Sequence, residues 1–526
     1  MARFRGFVFV LLAACAFAAA ASAQEQPVRG DTLVFGINSG DPPTYDCHQS
    51  VLFPIIHLLT PHYSNLLKID TEHYPKIVGD LAESWTVSPD AKTYTFKLHV
   101  NVKFHDGSPF SSEDIKATYD RIRNPPQGVV SVRRGLVADI DTIETPDPLT
   151  VVFNLKEGNR ALVYAFANPF NCVYSAAKLK ENPLYPVRNV MGTGPFRFVE
   201  HVGGSHWVGE RFKDYFKPGL PYLDGFRAQF TQGPALINAL QGGQVMADFR
   251  SVTTADRDRL TAALGDKITV HESPWLNVLL VTFNTRKPPF NDARVRRALS
   301  LAIDRWRASE VLPRSSIMRY VGAYLRPGSE FAAREEDLVK MPGFGKDIEA
   351  SRKEARRLLA EAGVPNLKVR LINRTISNLF TPAGIYVIDQ WRQIGVETEH
   401  VQANDTLYNN SMNEGTFDVA LDFQGDSVDE PTYQLARHLS VDLSSNRGKY
   451  TDRAIDELFD RQKDLTDPKE RYAAVRAFEQ RMLDEAYTVP LLWWQRIVVM
   501  RSNVKGWYMT PSHLIGQDLE TVWLKP

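Results

Sequence analysis

Residues 367–426 read LKVRLINRTISNLFTPAGIYVIDQWRQIGVETEHVQANDTLYNNSMNEGTFDVALDFQGD. The stretch opens with a strand over 368–372. A helix then starts at Thr381-Pro382 and carries Ile385, Ile388, Trp391 and Ile394 on its apolar side, and strands follow at 396–401 and 417–423. Just upstream, a charged helix from about 348 ends at Gly363, with Pro365 beyond it. Short strands alternating with helices build α/β units, and no solenoid-length repeat competes with that reading.

The flanking segments fit the same class. Tyr94, Phe96, Leu98, Val100, Val102 and Phe104 alternate with polar residues, the period of a half-buried strand over 94–104. His105-Asp106-Gly107 supplies a turn, and Ser111 with Asp114 forms a capping-box start for a helix through Ile115, Tyr119 and Ile122. From 292, Val295, Ala298, Leu299, Ala302 and Ile303 mark the buried face of another helix, with Arg294, Arg296, Arg297 and Arg305 expected on a solvated face. Asp467-Pro468 opens a helix with Tyr472, Val475, Phe478, Met482 and Leu483 on its apolar side, and 489–500 is extended and unusually apolar.

The first residues are of a different kind. Arg3 and Arg5 precede an apolar run from Phe7, and Ala21-Ser22-Ala23 before Gln24 is a small-x-small cleavage site, so 1–23 reads as a secretory signal peptide and the product as an exported protein. Leu12-Ala13-Ala14-Cys15 also has the form of a lipoprotein box, the alternative being a lipid anchor through Cys15. No later segment approaches a membrane span. Cleavage after Ala23 leaves Cys47 and Cys172, a candidate disulfide in an oxidising compartment, although sequence does not bring their Cα atoms together.

Across 526 residues, 62 basic and 62 acidic side chains cancel, which removes any composition-level argument for a nucleic-acid partner. The length suits two to four domains. Catalytic signatures are missing: there is no Gly-x-Ser-x-Gly, no P-loop, no H-E-x-x-H and no C-x-x-C. Gly192 and Gly194 run into Pro195-Phe196 rather than a dinucleotide fingerprint, and His48, His57 and His62 are separated by Pro54 and Pro61, so they share no helical face. No cofactor and no metal are expected. A neutral, exported α/β protein without catalytic strings has the profile of a ligand receptor.

Several strings, in this order, resemble the dipeptide, oligopeptide and nickel-type solute-binding proteins of ABC importers, family 5. They are Asp41-Pro42-Pro43-Thr44-Tyr45-Asp46, Leu81-Ala82-Glu83-Ser84-Trp85, Lys92 to Phe96 leading to Val102-Lys103-Phe104-His105-Asp106-Gly107, and Gly192-Thr193-Gly194-Pro195-Phe196. Later come Phe283-Asn284-Thr285 and Val295-Arg296-Arg297-Ala298-Leu299 with Ala302-Ile303-Asp304.

The resemblance implies a periplasmic-binding-protein type II-like bilobed fold with an additional inserted domain, the three-part, cluster C-like arrangement. Lobe I would combine 24–71, 189–276 and 496–526, the inserted domain II would span 72–188, and lobe II (domain III) would span 277–495. Ligand would lie between the lobes, and hinge closure would present the loaded protein to the permease.

By the same resemblance, Asp426 in Phe423-Gln424-Gly425-Asp426 takes the place of an aspartate that pairs with a peptide's α-ammonium, with helix or turn capping as its other reading. Phe423 stands where many relatives carry Trp, and the stretch from Asp426 to Pro431 is one residue longer. Arg374 falls where dipeptide binders grip the ligand carboxylate, which a guanidinium fork suits. Backbone amides at Phe423, Gln424 and Gly425 can pair with an extended peptide, and Tyr45 and Trp494 are candidate cleft linings.

The expected function is an extracytoplasmic substrate-binding receptor, not an enzyme, capturing a short peptide or similar amine-and-acid solute and delivering it to an inner-membrane permease and ATPase. It is expected to be a periplasmic monomer without nucleic-acid contacts. The alternatives are an opine, a sugar derivative or a nickel chelate in the same fold, a ligand-sensing or chaperone protein, and, least favoured, a secreted hydrolase using paired acids.

Overall fold

The structure is a computed structural model and describes residues 25–440 and 446–526; the leader 1–23 and Cys15 lie outside them. Three sheets organise the chain. A four-stranded sheet runs in the order Thr32–Ile37, Gly225–Phe230, His206–Arg211, Phe196–Val202, its first pair parallel and the rest antiparallel. A second, antiparallel four-stranded sheet lies wholly within the intervening sequence, in the order Ala82–Val87, Thr93–Leu98, Thr150–Leu155, Ile140–Asp147. The six-stranded sheet is mixed: Met318–Tyr320, Thr488–Arg501, Ile268–Phe283, Val419–Gly425, Lys368–Arg374, Glu397–Ala403. Each sheet has its own apolar core, one around Trp207 and Phe226, one around Phe96 and Phe153, and one around Leu279 and Trp391.

The two longest strands connect these bodies. Ile268–Phe283 and Thr488–Arg501 pair antiparallel from Ile268 opposite Arg501 to Thr282 opposite Thr488. At one end, Ala247 bridges both Met500 and Phe35 and so ties the ladder to the first sheet; the other end forms the middle of the six-stranded sheet. Between Pro274 and Leu280 the register shifts twice. A proline has no N–H to give the ladder, so pairing loosens there and the ribbon bends most easily at that point.

The alternating segment 367–426 forms as expected, with strands Lys368–Arg374, Glu397–Ala403 and Val419–Gly425 and the helix Phe380–Arg392. That helix buries Ala383, Val387 and Trp391. Ile385, expected on the core face, is 58% exposed because the buried stripe is rotated by about one residue. Sequence reading also passed over a helix, Asp405–Glu414, whose mostly polar residues hide the buried set Tyr408, Ser411 and Met412.

Ser111 and Asp114 form the expected capping box on the helix Ser112–Arg123. The strand before it stops at Leu98 rather than continuing to 104. Asn101 adopts φ 59°, which breaks the extended chain and leaves Val100 59% exposed, while Val102 and Phe104 return to the core. The arginines near 292–305 do not form one solvated face. Arg296 and Arg305 are buried and donate to main-chain carbonyls, Arg296 to Glu485 and Phe290, Arg305 to Pro490, Ser300 and Gly343. They tie the helices Ala293–Leu301 and Arg305–Val311 to their surroundings.

Cys47 and Cys172 are joined by a disulfide with Cα atoms 6.1 Å apart, so proximity that spacing could not show is present. Gly192 and Gly194 press against the backbone of His62 and Tyr63, where an added Cβ would meet main-chain atoms at 2.3–2.5 Å. That close approach, rather than phosphate binding, accounts for both glycines. Among the described residues no helix is long and apolar enough to cross a membrane.

Candidate functional site: a cleft between the three sheets

A cleft of about 1140 Å³ is lined by residues from every part of the chain, from Asn38 to Leu514. Two parallel strands aim their C-terminal ends at it. Lys368–Arg374 and Val419–Gly425 pair in parallel, and the residues that leave those ends include Arg374, Phe380, Phe423 and Asp426. Ligand sites in open α/β sheets lie beyond the carboxyl ends of strands, because the loops there are free to vary without disturbing the sheet.

Arg374 lies against three rings, with its guanidinium carbon 4.7 Å from the Tyr408 centroid, 5.4 Å from Phe423 and 5.5 Å from Phe380. Its nearest carboxylates, Asp405 at 3.8 Å and Asp422 at 4.0 Å, stand at the outer limit of ion pairing, and its Nε has no hydrogen-bond partner. Burial pushes the Asp422 carboxyl above its usual pKa range, which weakens it further as a counter-charge.

Asp426 Oδ1 accepts from Arg437 Nε at 2.9 Å, and its Oδ2 accepts from Gln424 Nε2 at 3.1 Å. It does not cap a helix: Glu430 takes that role for the helix Pro431–Ala436. The Asp426 amide donates to the Leu276 carbonyl, and Gly425 lies so close to Asn277 that an added Cβ would stand 2.0 Å from its Oδ1. Ion pairs Arg326–Asp429 and Arg471–Glu430, with both carboxylates buried, hold the following loop in place.

Phe423 stacks on Trp494 at 5.4 Å, and Trp275 meets Trp494 edge-on at 5.7 Å, forming an aromatic wall. The Trp494 Nε1 donor has no partner, whereas Trp275 Nε1 donates to His513 Nδ1 at 3.1 Å. Two expected lining residues are elsewhere. Gln424 points into the sheet, where its Nε2 also donates to the Gln434 carbonyl at 2.8 Å. Tyr45 packs edge-on to Trp207 in the first core and bonds His201 Nδ1 through its hydroxyl at 2.7 Å. A strand's alternation turns every second side chain away from the cleft, which is why Phe423 and Gln424 part company.

Two further cations, which no sequence expectation included, line the cleft. Arg133 donates to the Ser50 carbonyl at 2.5 Å and sits 3.6 Å over the Phe170 ring; burial, with the nearby Arg437 charge, lowers its pKa to about 9. Arg250 stacks 4.2 Å over Phe53, and its Nε has no hydrogen-bond partner; burial lowers its pKa while the Asp248 charge partly restores it. No motif marks either arginine. Among the described residues, no group of three or more His, Cys, Asp or Glu could hold a metal ion, and burial lowers His48 to about 4 and His57 and His62 to about 3, so all three are neutral at pH 7.

The description of the bacterial extracellular solute-binding proteins, family 5 (Middle), matches residues 76–445. The chain belongs to that family. A glutathione-binding protein, GsiB, from Pectobacterium atrosepticum is 33% identical over 58% of this chain and 56% of its own length, so the chain spans little more than half of that relative. The binding protein AgaA of A. tumefaciens R10, solved with agropinic acid, is 25% identical with a TM-score of 0.77, covering 94% of this chain and 99% of its own. A dipeptide binding protein from Pseudoalteromonas sp. SM9913, solved with Met-Leu, has a TM-score of 0.78 at 22% identity over 94% of this chain and 100% of its own, a likeness of fold. The α/β architecture described above is thus that of the family 5 binding proteins, whose members named here are receptors for small solutes.

Proposed function

We propose that this family 5 protein is the extracytoplasmic receptor of an ABC importer, taking a short peptide or similar amine-and-acid solute into the cleft and handing it to a membrane permease and its ATPase. The observation that carries the reading is one cleft lined by both Arg374, lacking a close counter-ion, and Asp426, which leave the C-terminal ends of neighbouring parallel strands. Arg374 receives the solute's carboxylate and Asp426 its ammonium, the ammonium sharing the Asp426 carboxylate with the half-exposed Arg437, while the Phe423–Trp494 stack covers the apolar part.

The lobes are 24–71 with 189–276 and 496–526 on one side and 277–495 on the other, with 72–188 as the inserted domain, and they hinge where the long ladder shifts register near Pro274. The leader 1–23 exports the chain to the periplasm, where it works as a monomer. Glutathione and agropinic acid, the ligands in the names of two relatives, are both small acids and support a solute of this size.

The test is a thermal-shift screen of the full mature protein, stripped of carried-over ligand by unfolding and refolding, against peptides, opines, sugars and nickel chelates. A ligand at 100 times its dissociation constant raises stability by about 2.7 kcal/mol. Stabilisation by peptides that Asp426→Ala weakens supports the reading; stabilisation only by solutes without an amine removes the ammonium role of Asp426.

A further inference from the structure

The charged side chains that line the cleft are five arginines, 133, 250, 259, 374 and 437, against two aspartates, 256 and 426, a surplus of three positive charges; no lysine or glutamate is among them. Both aspartates are already engaged. Asp426 is paired with Arg437, and Asp256 Oδ2 accepts from Thr253 Oγ1 at 2.6 Å in the cap of the helix Thr254–Leu264. Arg259 bonds the neutral side-chain oxygens of Asn238 and Gln241. Among the described lining residues no other carboxylate is present to cancel what remains.

Arg250 and Arg374 are the strongest part of that surplus. They stand at the two ends of the aromatic wall, Arg250 from the loop before the helix Thr254–Leu264, over Phe53 and 6.0 Å from the Trp275 ring, and Arg374 from the six-stranded sheet, 5.4 Å from the Phe423 ring, and each has an unpartnered Nε. A ring face attracts a cation but carries no net charge to neutralise it. The carboxylate nearest Arg250 in sequence, Asp248, accepts from the Arg250 main-chain amide rather than its guanidinium and is also drawn to Arg496. A desolvated cation without a hydrogen-bonded anion is unfavourable, and an acid group arriving with the solute relieves it.

We propose that the solute is an acid of net negative charge carrying at least two ionised acid groups, one received by Arg374 and a second, at the other end of the aromatic wall, by Arg250. The inference rests on the receptor reading and narrows it, since a dipeptide with one carboxylate and one ammonium leaves the Arg250 side unanswered.

Calorimetry on the stripped, full mature protein tests it with two charge series, the peptides Glu-Glu, Ala-Ala and Lys-Lys and the sugars galactarate and galactose. The expected result is that within a series the acid binds at least about tenfold more tightly, with an advantage that shrinks in high salt. Arg250→Gln removes most of that advantage while the ligand-free protein melts at the same temperature or higher, an outcome a merely structural arginine does not give. Ala-Ala equalling Glu-Glu, or galactose equalling galactarate, overturns the acid inference and leaves the receptor standing. Should Arg250→Gln not fold, the wild-type ranking decides alone, and binding of none of the probes counts against the receptor reading and the inference together.

Discussion

Asn168 Nδ2 donates to Ser427 Oγ at 3.2 Å, joining the inserted segment to the loop that follows Asp426. Beside it the Tyr433 hydroxyl donates to the Ala161 carbonyl at 3.0 Å, and Val428 enters the core of the inserted segment. These contacts join the inserted segment to the loop beside the cleft. Tyr433→Phe and Asn168→Ala are each expected to remove about 0.5–1.5 kcal/mol, read as several-fold faster ligand release in stopped-flow measurements. Release rates equal to wild type in both variants would show that the contacts do not contribute to closure.

Arg374 offers a planar fork, and its place on Tyr408 and Phe423 favours a flat cation. Arg374→Lys keeps the charge but loses bidentate geometry and stacking. Its affinity for an acid ligand is expected to fall roughly tenfold, and that of Arg374→Ala by about 2–5 kcal/mol, the range for truncating one partner of a buried charge pair. Titration calorimetry separates these outcomes; equal affinity for Arg and Lys would leave only a point-charge role.

The disulfide closes a loop of 125 residues between Cys47 and Cys172, both fully buried. In the chain-entropy account a bridge over a loop this long stabilises by about 4–5 kcal/mol. Cys47→Ser with Cys172→Ser is therefore expected to lower the urea midpoint markedly and to abolish the response of wild-type stability to a reductant. A wild-type protein whose unfolding ignores reductant would argue that the bond is not formed.

Asp248 is fully enclosed, and burial raises its pKa from 3.8 to about 6, with the Arg250 amide and the Arg250 and Arg496 charges opposing. Because the folded value lies above the unfolded one, the favourable contribution is complete below about pH 4 and is lost as pH rises through 6. The difference is about 3 kcal/mol. Asp248→Asn should flatten the stability profile between pH 4 and 6.5, measured by denaturant unfolding; an unchanged slope would assign that pH dependence to other groups.

Much of this molecule is written locally. The capping box at Ser111 and Asp114, the helix start at Asp467-Pro468, and the buried strand Thr488–Arg501 follow from spacing and composition because each depends on neighbours a few residues away. The same locality explains the misreadings. Alternation placed Val100 in a strand, but the turn at Asn101 interrupts it. The helical period fixed a stripe containing Ile385, while the direction of the stripe was set by the sheet it packs against.

Taken alone, the sequence determined the α/β class and the family strings from Asp41 to Asp304, and the resemblance those strings carry pointed to five residues that line the cleft, Arg374, Phe423, Gly425, Asp426 and Trp494. Only the tertiary structure decided that Tyr45 belongs to a core, that Cys47 reaches Cys172, and that Arg133 and Arg250 face the same cleft as Arg374. The reason is electrostatic as much as geometric. How closely a charge is paired depends on separations of a few ångströms that spacing along the chain does not set, as when Asp426 meets Arg437 at 2.9 Å while Arg374 stands nearly 4 Å from its closest carboxylate. A one-dimensional pattern carries no such distance.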